Sequence, residues 1–232
     1  MTTDDAALLR QTPLFGTMAP AALDQLASRA VRRSYGRGEV IFREDDTGDF
    51  LCVVVVGLVK VYRTSPAGDE MVLVTLGPAS VFGELPMVDG GLRSASAAAV
   101  DLTTLLTLNR VALLDALQVS PELADRLLRS LGSTIRRLTD QAADLVFLDL
   151  HGRVAKLLLA LSEDRGTGDA NGLTLDLHLT QTDLANMVGG SRQSVNQVLR
   201  SFEQLGYLEL EGRRIVIRRP NLLLRRAGQS DQ

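Results

Sequence analysis

Ala124, Leu128, Leu131, Ile135, Leu138, Ala142 and Leu145 recur at intervals of four, three, four, three, four and three residues. An a/d seam kept for three heptads requires a continuous α-helix. Its apolar stripe is narrow, which suits a second helix of the same kind better than a broad protein core. The flanking Arg129, Ser130, Arg136, Arg137, Thr139, Asp140 and Gln141 are polar, as in a parallel two-stranded coil. The pattern predicts a homodimer with Leu128, Leu131, Ile135, Leu138, Ala142 and Leu145 at the interface. Ser120-Pro121 marks the helix start, with Ser120 as N-cap and the proline in the first turn.

The chain on either side of this helix differs in texture. Residues 4–30 show short helical patterns broken at Pro13, Gly16 and Pro20. From Val31 to Asn109, apolar and β-branched runs (Val40–Phe42, Leu51–Val56, Leu58–Tyr62, Met71–Leu76, Leu102–Leu108) alternate with glycine and proline. Short strands at roughly ten-residue spacing predict an antiparallel barrel, sandwich or roll. After the seam, Asp149 caps a helix over Gly152–Leu161, and the polar, glycine-rich stretch 162–172 reads as a loop or turn within the second domain. The hinge falls near Phe147–Gly152. Three parts follow: a β-rich domain over 1–120, a dimerisation helix and hinge over 121–149, and a C-terminal domain over 150–232.

Thr180 to Leu199 (TQTDLANMVGGSRQSVNQVL) carries a second strong spacing signal. Thr180 caps a short helix, with Asp183 adding favourable charge to its first turn. Leu184, Ala185 and Val188 form the buried face, and small Ala185 allows close helix approach. Gly189 makes the tight turn, Ser191 caps the second helix, and Val195, Val198 and Leu199 bury it. This is a helix-turn-helix. Arg192, Gln193, Asn196 and Gln197 remain on the outer face near the second helix's start. Arginine pairs with guanine, and glutamine and asparagine with adenine. Thr180, Gln181, Thr182 and Ser191 complete the candidate DNA-contacting set. Residues 207–218 (YLELEGRRIVIR) predict a hairpin turning at Glu211-Gly212, which makes the unit a winged helix.

Taken as a sum, the net charge of −3 runs against nucleic-acid binding. The sum hides a gradient, however. Between Asn186 and Gly228 lie eight arginines and only three acids, a local +5, which leaves −8 for the remainder. A local basic face is what phosphate contact needs.

Within the β region, Val81-Phe-Gly-Glu-Leu-Pro followed by Arg93-Ser-Ala offers backbone N–H groups, a carboxylate, and an arginine beside a hydroxyl. A sugar phosphate suits that set, because the carboxylate accepts from a ribose hydroxyl and the arginine forks onto a phosphate. A Glu84–Arg93 salt bridge across a hairpin is the alternative. Gly83-Glu84-Leu85, Arg93-Ser94-Ala95, Phe147-Leu-Asp149-Leu-His-Gly152-Arg153-Val-Ala and Ser191-Arg192-Gln193-Ser-Val occur in one order. On these motifs, residues 8 to 226 resemble the cyclic-AMP receptor protein/Fnr family of bacterial transcription regulators. The resemblance implies an α+β fold: an N-terminal antiparallel β-roll, a long dimerisation helix and a C-terminal winged helix-turn-helix. It implies a cyclic nucleotide in the roll, with cyclic AMP first. Glu84 would meet the ribose 2′-hydroxyl, and Arg93 with Ser94 the cyclic phosphate. It also implies a palindromic operator and RNA polymerase as partners. Cyclic-AMP binders of the family place two polar residues on the dimer helix to hold adenine. Here Leu138-Thr139 stand there, so cyclic GMP, cyclic di-GMP and a ligand-independent regulator stay open.

The other chemistries fit less well. Iron–sulfur sensing needs about four cysteine ligands, and Cys52 is the single cysteine; it reads as a core residue. Haem ligation by His151 or His178 is unfavoured, since one falls at the hinge and the other in the C-terminal domain. No metal-ligand cluster, P-loop or nucleophile–base pairing points to an enzyme. The start MTTDDAALLR lacks the basic segment and apolar run of a signal peptide, and apolar stretches are too short to span a bilayer. With one cysteine, a reducing cytoplasm is the expected location.

Overall fold

The computed structural model describes residues 2–165, 167–169, 172–176, 179–212 and 214–228. Its contacts divide it into two compact units, Met1–Arg136 and Arg137–Gln232.

The first unit begins with α1 (Thr2–Gln11) and α2 (Pro20–Ser28). The strands β1 (Val31–Tyr35), β2 (Val40–Phe42), β3 (Phe50–Val56), β4 (Val59–Thr64), β5 (Glu70–Leu76) and β6 (Val81–Phe82) follow. After them come the short helix α3 (Leu85–Asp89), β7 (Ser96–Ala99), β8 (Thr103–Asn109), α4 (Arg110–Val119) and the long helix α5 (Pro121–Phe147), whose residues from Arg137 onward belong to the second unit. Two four-stranded antiparallel sheets result, in the orders β1-β8-β3-β6 and β2-β7-β4-β5. The strand spacing predicts an antiparallel barrel, sandwich or roll, and the observed roll is the one that the family resemblance implies.

Strand β3 explains why its sequence lacks polar alternation. Leu51 and Val53 pack into a cluster with α1, α2, α4 and Leu123 and Leu127 of α5. Cys52 and Val54, one residue out of phase, enter a second cluster with Phe42, Val59, Phe82, Ala97 and Ala99. Successive strand residues point to opposite faces, so a strand covered on both faces reads as a continuous apolar run. Cys52 is fully buried, and burial pushes its thiol up to about 12, where it stays protonated and unreactive.

Helix α5 starts at Pro121 as expected, but the Ser120 hydroxyl lies 3.1 Å from the Glu122 carboxylate instead of accepting from the helix's first N–H groups. The preceding helix α4, which no sequence pattern predicts, has its own side-chain cap, Asn109, which accepts from Ala112 N at 2.8 Å. The first turns of α5 bury Leu123 and Leu127 in the unit's own core, with Leu131 packed against it. The remaining seam positions face outward: Leu128, Ile135, Leu138 and Leu145 are 69%, 65%, 41% and 47% exposed.

In the second unit, the chain breaks helical structure only at Leu148 and Asp149 before α6 (Leu150–Arg165). Asp149 Oδ1 accepts from Gly152 N at 2.8 Å, the predicted cap. Within the stretch 162–172, α6 continues to Arg165 and β9 (Thr167–Asp169) pairs with β10 (Gly172–Asp176), so helix and paired strands occupy most of what the sequence offers as a loop or turn; residues 170 and 171 lie outside the described residues. There follow α7 (Gln181–Val188), α8 (Arg192–Gln204), β11 (Leu208–Glu211), β12 (Arg214–Ile217) and α9 (Pro220–Arg226). The sheet order is β11-β12-β10-β9. Among the described residues no helix is long and apolar enough to cross a membrane.

Candidate functional site

The helix-turn-helix is built as its residues dictate. Thr180 Oγ1 accepts from Asp183 N at 3.1 Å, and Asp183 Oδ2 accepts from Thr180 N at 2.8 Å, a complete capping box. Gly189 closes α7 in the left-handed conformation at φ 64°, and Ser191 caps α8 by accepting from Ser194 N at 3.1 Å. Gly190 is constrained by approach: a Cβ there would lie 2.9 Å from Leu150 Cδ1. Leu184, Ala185, Val188, Val195, Val198, Leu199 and Phe202 are buried between the helices and α6. Losing the cap should cost about 1 kcal/mol. Thr180→Ala is expected to lower the urea midpoint accordingly, and an unchanged midpoint would contradict the cap's role.

Burial of that face leaves Ser191, Arg192, Gln193 and Gln197 exposed and Asn196 half-buried at the start of α8. Thr180 and Thr182 are exposed, and Gln181 is half-buried at the start of α7. Gln181 and Asn196 line one open cavity of about 390 Å³, together with Arg200, Glu203, Gln204 and Leu210. Arg200, two turns beyond Arg192, thus joins the same face. Sequence reasoning counted its charge but gave it no position; the step from Arg192 through Asn196 to Arg200 was the available signal. The wing is β11 and β12, with Glu211 opposite Arg214 across Gly212 at φ 63°. Its turn is therefore centred one residue later than Glu211-Gly212; Arg213 lies outside the described residues. Glu203 Oε1 accepts from Leu210 N at 3.1 Å and ties the wing to α8.

Arg153 is a second residue whose role the sequence left open. Its Nε donates to Val188 O and its Nη1 to Leu148 O, both at 2.8 Å. One guanidinium thus spans the break after α5 and the end of α7. Nearby, Lys156 pairs with Asp144 at 2.7 Å and Arg226 with Asp149 at 2.6 Å. The Gly152 N–H, with Arg226, holds the Asp149 carboxyl below the usual carboxylate range. His151 stacks edge-on against Phe202 at 5.8 Å, a packing role; His178 lies outside the described residues.

In the first unit, the end of β6 and the short α3 bring Gly83, Glu84 and Leu85 against Arg93. Arg93 is 2% exposed. Its Nη1 donates to Gly83 O at 2.8 Å and its Nη2 to Phe50 O at 2.6 Å, but its Nε–H is buried without an acceptor. Backbone closes round it: a Cβ on Gly83, at φ 77°, would fall 2.7 Å from Nη1, and one on Gly48 3.5 Å from Nε. Burial pulls the Arg93 pKa below its ordinary value, opposed by Cys52 and by the charges of Asp49, Asp46 and Glu84. The hairpin salt bridge to Glu84 therefore does not form; Glu84 acts on the guanidinium through its charge. Ser94, next in sequence, and Leu85 are exposed. Leu138 and Thr139 are exposed on α5 and fall in the second unit.

Residues 32–120 match the family description of a cyclic nucleotide-binding domain, and residues 152–226 that of a Crp-like helix-turn-helix domain. A CRP-like cAMP-activated global transcriptional regulator of Mycobacterium tuberculosis is 36% identical over 220 residues, 95% of this chain and 98% of the relative. The chain belongs to the CRP/Fnr family of transcription regulators. The cyclic AMP receptor protein of Thermus thermophilus is 34% identical over 93% of this chain and 96% of its own length. The solved structure of FixK2 from Bradyrhizobium japonicum superposes with a TM-score of 0.78 over 88% of this chain and 98% of that one, at 24% identity. The chain is thus a DNA-binding transcription regulator of this family with a cyclic nucleotide-binding domain.

Proposed function

We propose that this family member is a homodimer that reads a palindromic operator when a cyclic nucleotide, cyclic AMP, occupies the roll. One observation carries the sensing half: Arg93 is a buried cation with an unpaired Nε–H. An orphaned donor in a dry site is costly, and an anionic acceptor removes that cost. A cyclic phosphate is such an acceptor; Ser94 would add a hydroxyl donor to it, and Glu84 would accept from a ribose hydroxyl. Two relatives at 36% and 34% identity are named for activation by, or reception of, cyclic AMP, which supports that nucleotide over cyclic GMP or cyclic di-GMP. Leu138, which cannot hydrogen-bond a base, favours a second reading, a regulator that needs no ligand. Calorimetric titration of the full chain with the three nucleotides separates the two. Heat with cyclic AMP supports the first, and no heat with any nucleotide supports the second.

The exposed seam supports the dimer, and a single cysteine, which can form no intramolecular disulfide, is compatible with a reducing cytoplasm. In a two-fold dimer the two α8 helices meet half-sites about one helical turn apart. Arg192, Gln193, Asn196 and Gln197 would read bases, while Thr180, Gln181, Thr182, Ser191 and Arg200 meet the sugar–phosphate backbone. RNA polymerase is the partner through which an operator-bound dimer would alter transcription. Arg192→Ala should relax preference at one base pair per half-site, at about 1–3 kcal/mol. Selection from random duplexes reads this directly; a variant that recovers the wild-type sequence with full preference would displace Arg192 from the reading face.

A further inference from the structure

The guanidinium of Arg93 lies between two aromatic rings that no motif singles out. Its central carbon is 4.0 Å from the Phe42 ring centre and 4.6 Å from that of Phe50. The rings meet edge to face, 6.2 Å apart with planes at 69°. Phe42 is anchored in turn on Phe82, 5.9 Å away, within the cluster between the sheets. Phe50 acts twice, since its carbonyl also accepts from Nη2.

A buried cation commonly takes a carboxylate partner. Arg93 instead gives its terminal nitrogens to two carbonyls, while Asp46, Asp49 and Glu84 act on it only through their charge. The difference matters for an anion site. A contacting carboxylate would cancel the positive charge, and an incoming anion would have to displace it. A ring face attracts a cation through its quadrupole and brings no formal negative charge. Packed against both rings, with two terminal N–H groups held by carbonyls, the guanidinium is restrained, and with it the free Nε–H.

We propose that Phe42 and Phe50 are positioning residues for the anion site, an aromatic clamp that holds Arg93 charged and correctly turned for a phosphate. The proposal rests on the reading of Arg93 as the phosphate ligand, and predicts that the clamp, beyond the arginine itself, sets affinity and phosphate geometry.

Phe50→Leu keeps apolar bulk but removes the quadrupole, and Phe50→Tyr keeps both; Phe42→Leu is the second leucine variant should the first not fold. Binding of cyclic AMP and of its Sp and Rp phosphorothioates is measured in the full chain, alongside the Arg93 Nε–H resonance in 15N-labelled protein. The leucine variants should bind cyclic AMP about tenfold more weakly and alter the Sp/Rp affinity ratio, which general loosening of the core would leave alone. The Nε–H signal, shifted upfield by the rings in the wild type, should move downfield. Phe50→Tyr should retain all three properties. Unchanged affinity and an unchanged Sp/Rp ratio in the leucine variants would overturn the clamp. If wild-type protein bound no cyclic AMP, inorganic phosphate would decide. Movement of the wild-type Nε–H on adding phosphate, reduced in Phe50→Leu, would keep the clamp and discard only the nucleotide. No movement would discard both.

Discussion

Arg93→Ala is expected to weaken cyclic AMP binding by about 100-fold, the scale of a lost charge-assisted contact in a dry site. The variant also strips Gly83 O and Phe50 O of their donors, so the first unit should lose roughly 1–3 kcal/mol of stability as well. Arg93→Lys separates the two effects. It restores a charge without the planar fork, so it should regain part of the affinity while the carbonyls stay imperfectly paired. Calorimetry gives the affinities and urea unfolding gives the stabilities. Wild-type nucleotide affinity in folded Arg93→Ala would remove the arginine from the site.

Ile135→Asp is expected to break the dimer. Ile135 is 65% exposed in the single chain and lies at a seam position, so the substitution should leave the protomer folded. In a parallel coil the residue meets its own symmetry mate, and two carboxylates then face each other in an apolar layer. Each buried isoleucine contributes about 1.5–3 kcal/mol. Losing two should therefore weaken association by a factor on the order of 1,000 before repulsion is counted. Sedimentation equilibrium should show a monomer, and operator affinity should fall with it because a monomer reads one half-site. A variant that sediments as a dimer would place the interface elsewhere.

Local, periodic features were legible in the sequence: α5, the two caps at Thr180 and Ser191, the turn at Gly189 and the strands with β-branched runs. What escaped depended on neighbours distant in sequence. Strand β7 is Ser96–Ala99, and alanine has little strand preference; it forms because β2 and β4 pair on either side of it. Strand β1 carries Arg32 and Arg33 on a sheet edge, and Arg32 pairs with Asp4 and Asp5 of α1 at 2.6 Å. The seam was read as facing a partner throughout, yet the first turns of α5 also serve their own core through Leu123 and Leu127. Leu145 in turn reaches the helix-turn-helix, 3.4 Å from where a Cβ of Gly189 would sit. At the nucleotide site, Glu84 and Arg93 stood out as residue types. The orphaned Nε–H and the flanking rings did not, because Phe50 and Arg93 are 43 positions apart and only the fold joins them.

The central claim is that nucleotide binding in the roll and DNA binding at α8 are energetically coupled. Coupling of two binding sites is reciprocal, and this gives the most direct test. With an operator duplex selected from random DNA, fluorescence anisotropy at fixed salt gives DNA affinity with and without saturating cyclic AMP. Calorimetry gives cyclic AMP affinity with and without the duplex. The account predicts that both affinities rise, and by the same factor. Identical operator affinity in the presence and absence of cyclic AMP would contradict it.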